Sequence, residues 1–449
     1  MEEHVQVVVV GAGVAGMAAA SVLGGKGVRT EILEARNRIG GRVFTRFEDG
    51  SEVPIELGAE FIHGLPPEIW KVLNEAQASI HEVDGANWCT RAGEISECHL
   101  FEKVDQILDK MDANRPDESF LDFLQRQFPD PSRDRDLEEA KRRAIAYVSG
   151  FNAADPALIG AHWLVGEMKA EESIQGERAF RAENGYKTLI EILERRLRRG
   201  GVAIKTGTTV EQIHWRTGHV ELNAMGPEGR LSIAADQALI TLPLAVLQAP
   251  IGETGVIEFL PGLPAKKVDA MSKLAMGKVI RVVLRFRRRF WETIVGSSKS
   301  GKTLEDMSFL FSDDELFPTW WTRMPDKSPV MTGWAPFRSA ERLSGQSRDF
   351  VIEQSLRSLG SVLHVNPEQL RGELESAQFH DWQCDPFSRG AYSYGKVGCD
   401  GAQEALGAPV EDTLFFAGEA TASANNGTVH GAMASGYRAA NEILRTIRR

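Results

Sequence analysis

Three glycines and one carboxylate near the start of this 449-residue chain could do chemistry together. The stretch VVVVGAGVAGMAAASVL, read from Val7, runs from β-branched residues through Gly11-Ala12-Gly13-Val14-Ala15-Gly16 into small helix-forming residues. A second apolar strand then closes on Glu34. Strand, glycine turn, helix, strand, acid is the order that holds a dinucleotide. Gly11 permits the tight turn, Gly13 lets the backbone approach a pyrophosphate, and Gly16 lets the helix pack on the strand. Free N–H groups at the helix start meet the phosphate charge. Glu34, 18 residues after Gly16, is placed to accept hydrogen bonds from ribose hydroxyls. It would repel a 2′-phosphate, which disfavours NADP. A glycine-rich helix start in some other α/β protein would leave Glu34 without a reason. Beyond it, Arg36 and Gly40-Gly41-Arg42 suit a loop folding back over the same phosphates. Flavoproteins that bury FAD need such a loop and nicotinamide-only dehydrogenases do not, so FAD is expected over NAD.

The second chemical signal lies near the C-terminus, in FFAGEATASANNGTVHGA at 415–432. A helix starting near Thr428 presents unsatisfied N–H groups and the positive end of its dipole. Aimed at the pyrimidine edge of a flavin, those donors would stabilise the negative charge of the reduced ring. The alternative is an ordinary helix cap in a glycine-rich turn.

With both ends in view the chain resembles the flavin-containing amine oxidases: monoamine oxidases, polyamine and spermine oxidases, and lysine-specific histone demethylases. Matching stretches are VVVVGAGVAG with ILEAR and IGGRV, ELGAEFIHG at 56–64 and NGYKTLIEIL at 184–193. ITLPLAVL at 240–247, DWQCDPFSRGAYSY at 381–394 and the segment at 415–432 complete the set. The motifs come closest to those of the polyamine oxidases. The histone demethylases carry extra chromatin domains, for which this chain has no room. The resemblance implies an α/β (α+β) fold: a Rossmann-type FAD-binding domain with an interleaved substrate-binding domain of mixed sheet and helices. It implies FAD-binding segments 1–66, 184–263 and 382–449, and substrate-binding segments 67–183 and 264–381. The FAD contacts it implies, with those read above, are Gly11, Gly13, Gly16, Glu34, Arg36, Gly41, Arg42, Gly58, Val210, Trp382, Gly418, Glu419, Thr428 and Val429. Ala391 stands where monoamine oxidases tether their flavin through a cysteine, so FAD is expected to be noncovalent.

The same resemblance places the reacting groups. Tyr392 would form one wall of an aromatic cage before the flavin, guiding an amine along its π face. Thr428 stands where monoamine oxidases have a second tyrosine, so the cage is one-sided and admits a bulkier or N-substituted amine. The family keeps a lysine that holds a water near flavin N5. Alignment puts Arg281 there rather than Lys278, and alternation sets Arg281 on one strand face with Val279 and Val283. Arginine can donate to such a water but cannot lose its proton. His63 would lie on the substrate side of the flavin, with a satisfied core histidine as the alternative. Glu60 could pair with a distal ammonium or simply be solvated. Arg285, Arg287, Arg288 and Arg289 read as a solvated strand end, and Trp320, Trp321 and Trp334 as core rather than pocket.

The rest of the chain must position these groups. Residues 67–181 read as mainly helical, including 105–111 and 137–148. A helix carrying Leu189, Ile192, Leu193 and Leu197 follows at helical spacing. Strands are expected at 202–205, 210–215, 220–224, 231–234, 238–242, 279–286, 307–311, 330–334 and 413–417. Long helices are expected at 347–363 and 428–447. Composition is that of an ordinary globular protein, 42% hydrophobic and 26% charged. A net charge of −11 argues against a nucleic-acid partner and mildly favours a cationic substrate. Cys89, Cys98, Cys384 and Cys399 show no metal spacing and read as reduced thiols. No metal is expected. An acidic Met1-Glu2-Glu3 and the lack of an apolar run near ~20 residues point to a cytoplasmic protein with no membrane span.

The expected function is FAD-dependent amine oxidation. Hydride passes from the carbon beside the amine nitrogen to flavin N5, the imine hydrolyses to an aldehyde, and O2 is reduced to H2O2. The expected substrate is a polyamine or another secondary amine. Alternatives are a monoamine or L-amino-acid oxidase, and a non-catalytic binding protein on the same fold.

Overall fold

The computed structural model describes residues 5–91, 93–98, 100–129, 134–297 and 301–447. The β-branched run Val5–Val10 sits in the middle of an eight-stranded sheet, with Val7, Val8 and Val9 wholly buried. On one side it pairs in parallel with Thr30–Leu33, which pairs in turn with Ala203–Lys205. On the other it pairs in parallel with Gly229–Ile240, Val10 opposite Ile240. Thr209–Arg216, His219–Gly226 and Glu258–Leu260 extend the sheet, and Leu414–Phe416 adds to the far half of Gly229–Ile240.

Gly229–Ile240 is one strand where the sequence reads as two, 231–234 and 238–242. Its first half is the antiparallel partner of His219–Gly226. Its second half lies between Val5–Val10 and Leu414–Phe416, so one strand belongs to two kinds of pairing.

Helix Val14–Gly25 runs from the glycine turn and packs on the C-terminal helix Val429–Ile447. The backbones nearly touch: a Cβ on Gly436 would fall 2.3 Å from the Ala15 carbonyl oxygen. Lys187–Arg199 lays its apolar face, Leu189, Ile192, Leu193 and Leu197, against the same core.

A seven-stranded sheet draws on other parts of the chain. Its order is Leu374–Phe379, Val279–Phe286, Val330–Pro336, Thr319–Thr322, Met307–Ser312, Ala86–Arg91 and Glu94–Glu97. Phe286, Trp88, Trp291 and Trp320 fill its core beneath helix Arg348–Leu363, whose Ser347 hydroxyl caps the Phe350 N–H. A helical layer of Leu100–Leu108, Phe120–Gln127, Arg135–Gly150 and Ala161–Ser173 shares a third core.

The structure corrects several expectations here. Thr319–Thr322 is a strand separating Met307–Ser312 from Val330–Pro336, and it carries two tryptophans. The mainly helical stretch after residue 67 contains a hairpin, Ala86–Arg91 with Glu94–Glu97, in which Cys89 faces Ser96. The Cys98 amide continues the ladder to the Asn87 carbonyl at 3.0 Å, and Cys89 and Cys98 form a disulfide, Cα atoms 5.7 Å apart. Their spacing has no motif; hairpin register alone brings them together. The reading of four reduced thiols is therefore wrong for this pair, while Cys384 and Cys399 are free. Arg289 is buried rather than solvated, bonded to Glu292 and to the Glu305 carbonyl. Among the described residues no helix is long and apolar enough to cross a membrane.

Candidate active site

A single cavity of about 1470 Å³ runs from the glycine turn to the seven-stranded sheet. At its nucleotide end Gly11 has φ +106°, and a Cβ on Gly16 would fall 2.1 Å from the Gly11 carbonyl oxygen. Gly16 therefore serves turn-to-helix packing and does not line the cavity, whereas Gly13 does, with open space where a Cβ would stand. Glu34 is buried on the cavity wall, accepting from the amides of Ala12 (2.8 Å) and Arg36 (2.9 Å). The Arg36 guanidinium binds Asp385 at 2.7 Å and Ser388 at 3.0 Å. Gly41, Gly58, Val210, Trp382 and Gly418 line the same wall. Trp382 is fixed by its Nε1 donating to the Leu57 carbonyl (2.8 Å).

Arg42 and Glu419 join the two ends of the chain. Arg42 Nη1 donates to Glu419 Oε1 (2.9 Å) and to the Ala391 carbonyl (2.7 Å). Glu419 Oε2 accepts from the Ser393 hydroxyl (2.6 Å). Thr428 is the cap of Val429–Ile447: its hydroxyl accepts the Gly431 N–H (2.9 Å) and donates to the Asn425 carbonyl (2.6 Å). Among the described residues the amides of Val429 and His430 keep no partner, and both residues line the cavity.

At the other end Tyr392 lines the cavity, its hydroxyl donating to the Phe151 carbonyl at 2.5 Å. His63 lies edge-on to Phe151, centroids 5.7 Å apart. Burial lowers its pKa to about 4, so the ring is neutral near pH 7. Arg281 lines the cavity at 5% exposure, with Nη1 on the Gly58 carbonyl (2.7 Å) and Nη2 on Glu60. Lys278 points elsewhere: it pairs with Glu341 at 2.9 Å on the surface and does not line the cavity. Lys278 is therefore removed from the site and Arg281 retained.

Glu60 overturns both of its readings. It is neither solvated nor open to a substrate ammonium, because Arg181, Arg281 and the Trp321 indole N–H all donate to its carboxylate. Burial raises its pKa, but Arg281, Arg181 and Arg323 outweigh that and hold it at about 2. Trp321 and Trp334 form cavity wall rather than plain core, and Trp320 is core.

The comparisons with known proteins decide the family. Residues 14–103 and 104–444 match the family described as flavin containing amine oxidoreductase. The chain belongs to that family. It is 26% identical to polyamine oxidase 4 of Oryza sativa subsp. japonica over 98% of this chain and 89% of that protein. It is 29% identical to lysine-specific histone demethylase 1 homolog 1 of Arabidopsis thaliana over 100% of this chain and 53% of that protein. Its fold is similar to putrescine oxidase bound to putrescine, with TM-score 0.80, 20% identity and 99% of each chain covered. Cyclohexylamine oxidase from Brevibacterium oxydans IH-35A gives TM-score 0.78 at 19% identity over 100% of each chain. The protein is a flavin-dependent amine oxidoreductase with FAD as its cofactor. The open space over Gly13, the buried Glu34 and the free amides at the start of Val429–Ile447 all fit that group.

Several residues of this amine oxidoreductase site escaped the sequence reading. Tyr147 stacks on Phe151 at 5.2 Å and 8°. Phe61 leans on Trp321 and Phe309, and Trp321 on Trp334, giving one side of the cavity an aromatic lining. Glu167 and Glu171 face the cavity from helix Ala161–Ser173, and burial raises them to about 8 and about 7. Their spacing of four marks one helical face. No local signal says that this face meets the cavity.

Proposed function

We propose that the enzyme oxidises a polyamine, or another amine with a secondary nitrogen, to an imine that water splits into an aldehyde and a smaller amine. The division of labour follows the two sheets. Segments 1–66, 184–263 and 382–449 hold FAD, and segments 67–183 and 264–381 hold the amine. FAD, when bound, would supply a two-electron acceptor for the hydrogen beside the nitrogen, with O2 as the final oxidant released as H2O2.

The chain's own residues do the rest. Tyr392 presents a ring wall to the reacting nitrogen. Thr428, which also lines the cavity, is short and its hydroxyl is occupied in capping, which leaves room for a substituent on that nitrogen. The reading rests on Tyr392 and a short, capped Thr428 lining the same cavity. Neutral His63 and the aromatic lining favour the uncharged amine over its ammonium, since a bare cation is costly to bury there. The amides of Val429 and His430, with the helix dipole behind them, would stabilise negative charge on a flavin bound in the cavity. Arg281 keeps a fixed positive charge beside the reacting region and cannot serve as a base.

An L-amino-acid oxidase needs a free cation for the substrate carboxylate. At the reacting end Arg281 and Arg181 are tied to Glu60, and Arg42 to Glu419, which speaks against that reading. The test is kcat/KM, followed by peroxide release, for spermine, spermidine, N-acetylated polyamines, benzylamine and phenylethylamine. A polyamine should be the best substrate. The reading fails if either arylalkylamine is oxidised about tenfold better, a gap of about 1.4 kcal/mol in the barrier.

A further inference from the structure

We propose that Ser393 is a positioning residue for the reacting amine: its hydroxyl, held by Glu419, locks the Tyr392 ring wall in register with the nucleotide side of the cavity. The proposal rests on the amine-oxidation reading and names the device that sets its ring wall.

Tyr392 is bracketed by one ion pair. Arg42 Nη1 donates to the carbonyl of the residue before it, Ala391 (2.7 Å), and to Glu419 Oε1 (2.9 Å). Glu419 Oε2 accepts from the residue after it, Ser393, through both the amide (3.2 Å) and the hydroxyl (2.6 Å). The tripeptide Ala391-Tyr392-Ser393 thus hangs between a cation and an anion drawn from opposite ends of the chain. Ser393 and Glu419 are 1% and 5% exposed, which leaves water little access to the bond. A hydrogen bond to a carboxylate is about twice as strong as a neutral one.

Glu419 also reaches the segment that carries Thr428. Its backbone carbonyl accepts Asn426 Nδ2 (3.0 Å), which turns Asn426 Oδ1 toward the Ser393 hydroxyl at 3.3 Å. The hydroxyl has one proton, and the shorter contact to Glu419 takes it. Gly427, next in the chain, has φ +72°, and a Cβ there would fall 3.3 Å from Tyr392 Cδ2. Thr428 follows directly. Ser393 therefore lies where the segment bearing Tyr392 meets the loop bearing Thr428.

Holding the strand in place is a task that other bonds already perform. Ser393–Gly395 pairs with Leu274–Met276, Ser393 opposite Met276, and the Tyr392 carbonyl accepts the Gly277 amide at 2.7 Å. The Tyr392 hydroxyl adds the Phe151 carbonyl at 2.5 Å. These bonds fix the ring on the amine side. The bonds of Ala391 to Arg42 and of Ser393 to Glu419 tie it instead to the wall that Gly41 and Gly418 line. The Ser393 hydroxyl sets one side against the other, and a misplacement of about 1 Å at a reacting centre costs about a hundredfold in rate.

The test follows anaerobic flavin reduction by stopped flow in the FAD-loaded protein, using whichever of spermine, spermidine, benzylamine or phenylethylamine turns over fastest. Ser393→Ala should slow the limiting rate about tenfold or more, while half-saturation by the amine stays within about threefold. In a Tyr392→Leu background the same change should cost less than about twofold, because Ser393 acts through that ring. A readout free of turnover is fluorine NMR of FAD-loaded protein carrying fluorotyrosine at its five tyrosines, with the Tyr392 signal assigned by Tyr392→Phe. Ser393→Ala should move the Tyr392 signal and leave those of Tyr186 and Tyr437 in place. An unchanged limiting rate, losses that multiply in the double variant, an unmoved Tyr392 signal, or FAD bound about tenfold more weakly overturns the assignment. Should Ser393→Ala fail to fold, Ser393→Cys carries the same comparisons, since a thiol fills the site and donates only weakly. If no amine reduces the flavin but the Tyr392 signal still moves, the catalytic reading fails and Ser393 still positions the ring.

Discussion

Arg281 and Glu60 form a buried ion pair at the reactive end of the cavity, with Arg181 bound to the other carboxylate oxygen. One acid thus holds two guanidiniums, and removing it strands both. Glu60→Gln should lower the free energy of unfolding by about 3–5 kcal/mol, the usual cost of breaking a buried pair from one side. Its low pKa adds an acid signature. The carboxylate stabilises the fold above its unfolded value near 4.5, and that contribution is lost as pH falls through about 2. Denaturant titrations at pH 7 and in the acid limb check both effects. An unfolding midpoint equal to wild type at pH 7 would refute the argument.

Arg281 rather than Lys278 should govern reoxidation of the reduced enzyme. Arg281 is buried in the cavity wall, while Lys278 is nearly half exposed and paired with Glu341. Surface pairs of that kind contribute at most about 1 kcal/mol. In stopped-flow mixing with O2, Arg281→Met should slow flavin oxidation and Lys278→Met should not. If the lysine variant alone is slow, the assignment is reversed.

Sequence legibility divides along the range of the interactions. Gly11, Gly13 and Glu34 were readable because the turn and its acid lie within one strand–helix–strand unit. Arg281 was readable over Lys278 from the family pattern around Met276–Arg281, with strand alternation in support. Glu60 was not, because Arg181 and Trp321 reach it from 121 and 261 positions away. The Cys89–Cys98 pair depended on hairpin register inside a stretch whose charges imitate amphipathic helix. For Glu167 and Glu171, spacing gives a shared face, and only packing tells which way it looks.

FAD should leave the protein on acid precipitation, and the yellow colour should appear in the supernatant. Ala391 offers no thiol for a covalent tether, and its carbonyl is engaged by Arg42 at 2.7 Å. Colour retained in the pellet would contradict this.

Thiol titration in denaturant without reductant should find two free thiols, Cys384 and Cys399, rising to four after reduction. Closing a loop of this size contributes about 2–3 kcal/mol in the chain-entropy view, so reduction should lower Tm measurably. Four thiols in unreduced protein would show that the bridge does not form in solution.

Glu56 should give the fold a pH dependence of opposite sign to that of Glu60. Its carboxyl is 2% exposed, accepting from the Tyr186 amide (2.7 Å) and the Thr45 hydroxyl (2.8 Å). Burial outweighs those hydrogen bonds and raises its pKa to about 7. The folded chain therefore holds this proton between pH 4.5 and 7 while the unfolded chain has lost it, so stability falls as pH rises through that window. A shift of this size corresponds to about 3 kcal/mol between the limits. Glu56→Gln cannot ionise and removes the term. The Tm of the variant minus that of wild type should therefore climb with pH from about 4.5 to 7 and then level off. Comparing the two proteins at each pH cancels the other titrating groups, such as Lys267, whose burial acts above pH 7. A difference that stays flat across the window would place the Glu56 proton elsewhere.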